Sequence, residues 1–166
     1  MCATWFLMRR QRGYNRTRLV TSCNTEISQS RQLGGRVIFA NFVLACDTLP
    51  LAGRNKMLTA LSETGRFNHG DCLPEIKWRL QEDLYLYPRV SSFSNTSIHE
   101  DPRRQGADRV RMAGISSSGV VLSSVARASD ADYEVQHVRS CCFDPDAAGD
   151  DALFRTGFAT RATVVD

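Results

Sequence analysis

The sequence predicts a mainly β fold, with α+β as the alternative: an antiparallel sheet or sandwich with one packed helix near residues 51–66. Three observations lead to this prediction. Short runs rich in β-branched and aromatic residues recur along the chain, residues 75–90 alternate apolar with polar positions, and a single segment shows clear helical spacing. About six or seven short strands with one helix favour an antiparallel sheet over a βαβ arrangement.

The first half of the chain supplies a strand, the helix and the alternating segment. Residues 36–47 (RVIFANFVLACD) form an apolar run about as long as one buried strand. Residues 51–66 place apolar side chains near one helical face and Gly65 where a C-terminal cap is expected. In residues 75–90 most of the large apolar side chains occupy even positions, and Pro88 indicates an edge strand.

The second half is expected to contain a long loop and further strands. Residues 91–108 have no periodicity and many loop-forming residues, and a loop of that length is usually functional or disordered. Residues 109–115 and 120–127 flank Ser116-Ser-Ser-Gly119, which predicts a β-hairpin with a Ser/Gly turn. The remaining strands are expected at residues 133–143 and 154–165.

Composition predicts one globular domain behind a basic arm. The chain has 166 residues, of which 42% are hydrophobic and 23% charged, values typical of a folded domain. Residues 1–32 are rich in Arg and Ser, so we expect a flexible arm or a targeting segment there, and a single β-rich domain over residues 33–166. The longest apolar run, residues 37–46, is too short to span a membrane.

Charge is distributed unevenly along the chain. Residues 1–70 carry ten basic and three acidic side chains, whereas the remaining residues carry eleven basic and fifteen acidic ones. Such an asymmetry indicates an anionic partner at one end of the chain, or a contact between its two halves. The candidate contacts are five arginines suited to neutralising phosphates and one tyrosine suited to stacking on a base: Arg9, Arg10, Arg12, Tyr14, Arg16 and Arg18.

The function that this arm favours is a non-catalytic one. We expect a small binding or assembly subunit whose arm contacts nucleic acid or an acidic protein surface, within a larger assembly or a homo-oligomer, and without a cofactor. The sequence contains no glycine-rich phosphate loop, no G-x-S-x-G element and no dinucleotide fingerprint.

A first alternative is a metal-dependent oxygenase. His69-Gly70-Asp71 places an imidazole and a carboxylate two residues apart, and His137 follows on an expected strand. Two histidines and one carboxylate are the iron ligands of non-haem oxygenases. The pattern resembles the His-x-Asp…His signature of the double-stranded β-helix oxygenases. This resemblance implies an Fe ion held by His69, Asp71 and His137.

A second alternative is an organelle-targeted structural subunit whose N-terminal presequence is cleaved. The six cysteines are too few for a disulfide scaffold in a chain of this length. We therefore expect an intracellular, reducing compartment, with mitochondria or another organelle among the candidates.

One acidic segment begins like a calcium-binding loop. Asp144, Asp146 and Gly149 follow the D-x-D-x-x-G pattern, but Ala148 and Arg155 stand where oxygen ligands are needed. We therefore expect an acidic surface turn at residues 144–151 and no calcium site.

Overall fold

A parallel sheet forms the centre of the fold. The computed structural model describes residues 2–6, 15–44, 53–65, 67–70 and 74–166. The strands in this part of the chain are β1 (Cys2–Phe6), β2 (Arg36–Phe42), β3 (Asp83–Tyr87), β4 (Arg109–Ile115), β5 (Glu134–Phe143) and β6 (Thr163–Val165). They lie in the order β3-β2-β1-β4-β5-β6, and every neighbouring pair is parallel.

Helices connect these strands and cover both faces of the sheet. The described helices are α1 (Arg16–Gln32), α2 (Lys56–Glu63), α3 (Glu100–Arg104), α4 (Leu122–Asp130) and α5 (Ala147–Arg155). A π-helical turn, Ser117–Val121, continues directly into α4. This is an α/β fold, so the predicted antiparallel sheet or sandwich with one helix is wrong. Parallel strands need long crossover connections, and here helices supply most of them.

Helix α1 was not predicted from the sequence because its apolar stripe is narrow. Leu19, Cys23 and Ile27 are buried at four-residue spacing, whereas most of the other side chains of the helix are polar. The stripe packs against one face of the sheet. Strand β1 pairs with β2 on one side and β4 on the other. The sequence suggests that residues 1–32 lie outside the globular domain, whereas β1 and α1 belong to its sheet and core.

The predicted hairpin is a strand followed by a helix. Residues 109–115 form β4, but residues 120–127 lie in the continuous helix 117–130, where Val121, Val125 and Ala128 are buried. Their spacing fits a helix, and the short apolar run VVL resembles a strand only when it is read alone.

The last predicted strand is mainly a turn between a helix and a short strand. Residues 154–165 begin inside α5, and only Thr163–Val165 form a strand. Phe154 and Phe158 share one parity in the sequence, but Phe154 lies in α5 and Phe158 in the turn that follows it, where their ring centroids are 5.2 Å apart.

Other elements lie where the sequence predicted them. Strand β2 lies within residues 36–47, β5 fills residues 134–143, and β3 is an edge strand within residues 75–90. Helix α2 lies within residues 51–66, of which 51, 52 and 66 are outside the described residues.

The sheet separates two apolar layers. One contains α1, and the other contains the helix 117–130 and α5. No helix in the described part of the chain is long and apolar enough to cross a membrane. Cys23, Cys141 and Cys142 are free thiols. The expected reducing compartment stays a prediction.

Candidate active site

The sheet changes its direction of winding between β1 and β4. From β1 the chain proceeds to β2 on one side, and from β4 it proceeds to β5 on the other. In open parallel sheets, ligands bind in the crevice outside the carboxyl ends of the strands at such a switch point. Strand β4 ends at Ile115, so the residues that follow it are candidates for a ligand site.

A cavity of about 300 Å³ opens at this end of the sheet. Its walls come from the end of β2, from α2, from Val90 and from the turn after β4. The apolar side chains that line it are Phe42, Met57, Leu61, Phe67, Val90 and Val120. Thr64, Ser116, Ser118 and Gly119 supply its polar groups. An apolar pocket with a few convergent polar groups is the usual form of a small-molecule site.

Aromatic packing fixes the wall of the cavity beside β2. Phe42 is the last residue of β2, and its ring centroid lies 5.2 Å from that of Phe67 and 5.8 Å from that of Tyr87. The Leu44 N–H donates a hydrogen bond of 2.8 Å to the Phe67 carbonyl oxygen. This wall is therefore held by both ring contacts and a backbone bond.

Helix α2 forms the opposite wall. It begins after Asn55, whose side-chain oxygen accepts a hydrogen bond of 3.1 Å from the Leu58 N–H. Leu58 is only 1% exposed and anchors the helix to the core, whereas Met57 is 48% exposed. One buried anchor and one capping residue thus position Met57 and Leu61 at the cavity.

The turn after β4 brings hydroxyl groups to the third wall. The Ile115–Ser116 peptide bond is cis. The N–H groups of Gly119 and Val121 both donate to the Ser116 carbonyl oxygen at 3.2 Å. A Cβ atom at position 119 would lie 2.8 Å from Ser116 Oγ, so glycine there lets the Ser116 hydroxyl lie against the backbone.

A buried carboxylate stands behind this turn. Asp144, which follows β5, is 6% exposed. Its Oδ2 accepts hydrogen bonds from Ser118 Oγ at 2.6 Å and from the Ser118 N–H at 2.8 Å. Its Oδ1 accepts from the Asp146 N–H at 3.2 Å. The carboxylate is therefore fixed in place, and it orients the hydroxyl that lines the cavity. The acidic turn at residues 144–151 was predicted to lie on the surface, and this prediction is wrong for Asp144, which is buried.

A second carboxylate lies near the first. Burial raises the pKa of Asp150, the Ser117 hydroxyl opposes this rise, and the Asp144 charge adds to it. Ser117 Oγ and Asp150 Oδ1 are both buried, and neither makes a hydrogen bond of ordinary geometry among the described residues. The charge of Arg139 also opposes the rise in the pKa of Asp150, so both signs of charge act at this position.

These groups can support acyl transfer. A hydroxyl that donates to a fixed carboxylate places a nucleophile within reach of a group that can accept its proton. The helix 117–130 begins at the same place, and its positive end favours a developing negative charge on a substrate oxygen. The apolar walls would hold the rest of the substrate.

The predicted basic contacts lie apart from this cavity where the structure describes them. Arg9, Arg10, Arg12 and Tyr14 are outside the described residues. Two predicted contacts are on α1: Arg16 pairs with Glu75 at 2.6 Å, and Arg18 is exposed. Whether these side chains contact an anionic partner stays a prediction.

The two predicted iron ligands that the structure describes, His69 and His137, have opposite surroundings. His69 is exposed, and Asp71 is outside the described residues. His137 is fully buried, with ring centroids 4.8 Å from Phe154 and 4.1 Å from Phe158. Burial lowers the pKa of His137 to about 4, while its hydrogen bond to the Met112 carbonyl opposes that change. No group of three or more His, Cys, Asp or Glu side chains is suited to a metal within the described part of the chain.

Sequence reasoning missed Ser118 and Asp144. The first was read as part of a hairpin turn and the second as part of an acidic surface turn. A strand followed by a Ser/Gly turn and a helix would have been the useful signal, because that arrangement places hydroxyls at the carboxyl end of a parallel strand. The contact between residues 118 and 144 could not be read from the sequence.

Comparisons with known proteins agree with this fold. The family model for the isochorismatase domain matches residues 5–166. An isochorismatase family protein from Burkholderia thailandensis has a TM-score of 0.77 at 15% identity over 98% of this chain and 90% of its own. N-carbamoylsarcosine amidase from Thermoplasma acidophilum gives 0.76 at 16% over 98% and 94%, and pyrazinamidase from Pyrococcus horikoshii gives 0.76 at 13% over 99% and 98%. No curated protein matches the sequence.

The family match overturns the predicted function. It covers nearly the whole chain and points to a hydrolase fold, whereas the sequence favoured a non-catalytic, nucleic-acid-binding assembly subunit. The oxygenase and the presequence-bearing structural subunit are wrong for the same reason. At identities of 13–16% the solved structures show the fold alone.

Proposed function

We propose that this chain, which belongs to the isochorismatase family, hydrolyses an amide or ester bond of a small molecule bound in the cavity between α2 and the Ser116–Gly119 turn. One observation carries the proposal. The Ser118 hydroxyl reaches the cavity and donates at 2.6 Å to a buried carboxylate, Asp144. A positioned hydroxyl with a proton acceptor is what acyl transfer requires.

The first half of the reaction forms an acyl-enzyme. Ser118 Oγ attacks the carbonyl carbon of the substrate, and its proton passes to Asp144 Oδ2. The negative charge moves to the substrate oxygen, which the positive end of the helix 117–130 stabilises. When the bond to the leaving group breaks, the proton on Asp144 moves to the departing nitrogen or oxygen.

The second half releases the acid. A water molecule attacks the ester carbon of acylated Ser118 and gives a proton to Asp144. The bond to Ser118 Oγ then breaks, and Asp144 returns the proton to that oxygen. The net change is the addition of one water across the substrate bond, and no further reactant is needed.

The names of two similar proteins support an amide as the first bond to test. N-carbamoylsarcosine amidase and pyrazinamidase are both named for the cleavage of a C–N bond. The cavity, at about 300 Å³, is at the lower end of the range for small-molecule pockets, which supports a small substrate.

The test compares hydrolysis by the purified chain with that by Ser118→Ala, using aromatic and aliphatic amides and their esters. We expect the variant to lose at least on the order of 10³-fold in kcat/KM, because it lacks the nucleophile. Ser129→Ala, which removes a hydroxyl near the end of α4, should keep the wild-type rate. A fluorophosphonate should add its mass to the peptide that contains Ser118.

Two results would contradict the proposal. Turnover by Ser118→Ala at the wild-type rate would remove Ser118 as the nucleophile. Absence of turnover of every amide and ester, together with no fluorophosphonate adduct, would remove amide and ester hydrolysis as the function.

A further inference from the structure

The cavity has an uncharged lining with one carboxylate behind it. Among the described residues that line it, none has a charged side chain. One carboxylate, that of Asp144, is hydrogen-bonded to a lining residue, Ser118. An anionic ligand in this cavity would therefore meet apolar walls and a fixed negative charge, with no described cation in the lining to compensate it.

Asp144 also occupies the position that an anionic ligand would otherwise take. The beginning of a helix attracts anions through its free N–H groups and its partial positive charge. Here the Ser118 N–H, in the first turn of the helix 117–130, already donates to Asp144 Oδ2 at 2.8 Å. The helix end is therefore neutralised from within the protein.

We propose that Asp144 is a specificity-determining residue, which makes the cavity reject carboxylates. The ligand class is a neutral aromatic or branched apolar compound, because Phe42, Phe67 and Leu61 form the walls. Repulsion between a bound carboxylate and the nearby Asp144 should weaken binding by roughly tenfold.

The same charge gives a direction to the reaction, a consequence that rests on the proposed function. During acyl transfer the proton moves to Asp144 while the negative charge moves to the substrate oxygen, so the helix end faces one negative charge throughout. After hydrolysis the product acid ionises and Asp144 is again a carboxylate. Two negative charges then face the same helix end, and the product is expelled.

Binding measurements with planar, non-hydrolysable probes of one shape test the selection. Nitrobenzene is neutral, benzoate is anionic, and benzamidinium is cationic. We expect the wild-type chain to bind nitrobenzene and benzamidinium at least about tenfold more tightly than benzoate in ligand-observed NMR titrations. Asp144→Asn should strengthen benzoate binding by about tenfold and leave the affinity for nitrobenzene within about twofold.

A matched control isolates the position of the charge. Asp151→Asn removes an equal charge from an exposed residue that pairs with Arg139, and it should leave the ratio of benzoate to nitrobenzene affinity unchanged. Equal wild-type affinities for benzoate and benzamidinium would overturn the proposal, and this comparison needs no variant. An unchanged ratio in folded Asp144→Asn, or no binding of any probe, would overturn it as well.

The two proposals fail in different ways. Loss of all turnover with the charge preference intact would contradict only the hydrolytic function. Turnover that depends on Ser118, without any preference among the three probes, would contradict only the selection by Asp144.

Discussion

Strand β5 leads to two buried polar groups with opposite surroundings. His137, within the strand, is fully buried, and its ring packs against those of Phe154 and Phe158. Asp144, just beyond the strand, is 6% exposed but bonded to a hydroxyl that reaches a cavity. Burial is similar at the two positions, whereas the connection to solvent-accessible space differs. That connection distinguishes a candidate catalytic group from a polar group enclosed in the core.

The protonation chemistry of the two groups differs accordingly. Burial holds His137 neutral by lowering its pKa to about 4, and its Nε2 makes no hydrogen bond to any described residue. Asp144 accepts three hydrogen bonds and can pass a proton to and from Ser118. The enclosed group therefore affects stability, and the connected group is expected to affect binding and turnover.

The largest effect on stability is expected in the enclosed region. Phe158→Ala should lower the free energy of unfolding by roughly 3–5 kcal/mol, because the ring is fully buried and its removal leaves a cavity beside His137. Urea unfolding measures this change. Met57→Ala, in the half-exposed wall of the open cavity, should cost less than about 1 kcal/mol. Equal losses in the two variants would remove the contrast between the regions.

The pH dependence of stability should come next in size. Below pH 6.5 the unfolded chain protonates His137, but the folded chain does so only near pH 4, so stability falls as the pH drops through this window. The loss in the free energy of unfolding reaches roughly 3 kcal/mol near pH 4 and is absent above pH 6.5. His137→Phe should flatten the pH dependence of the free energy of unfolding relative to wild type, whereas His69→Gln, at an exposed position, should not. A profile unchanged by His137→Phe would show that His137 is not held neutral.

A smaller effect tests the wall formed by α2. Asn55→Ala removes the N-terminal cap of this helix and should cost about 1 kcal/mol of stability. It should also weaken nitrobenzene binding, because α2 supports Met57 and Leu61 at the cavity. Asn15→Ala removes the equivalent cap from α1, where the side chain accepts from the Arg18 N–H at 3.0 Å. It should cost a similar free energy and leave binding unchanged. Equal effects of the two variants on binding would place the ligand elsewhere.

The sequence located several elements but not their arrangement. Strands β2, β3 and β5 lie where alternation or continuous apolar runs predicted them. The parallel order could not be predicted, because it depends on recognising the crossover helices. Helix α1 is largely polar, and the helix 117–130 contains a short β-branched run. With both helices missed, the strands appeared consecutive, and an antiparallel sheet followed.

The candidate site was less predictable than the fold. The Ser116–Gly119 segment was recognised as a turn, but only the neighbouring strands show that it lies at the carboxyl end of the sheet. Asp144 joins Ser118 across 26 residues of sequence, a contact that no local pattern indicates. The candidate histidines and arginines were chosen by residue type alone. The site at the cavity is identified by the position of its groups in the fold.

Mapping the bound probe on the chain tests the central claim, that the cavity beside the Ser116–Gly119 turn is the active site. Nitrobenzene would be titrated into the ¹⁵N-labelled protein while amide chemical shifts are followed. We expect the largest shifts at Leu61, Val90 and Gly119, which line the cavity. Shifts centred on His137 and Phe158, or on α1, would contradict it.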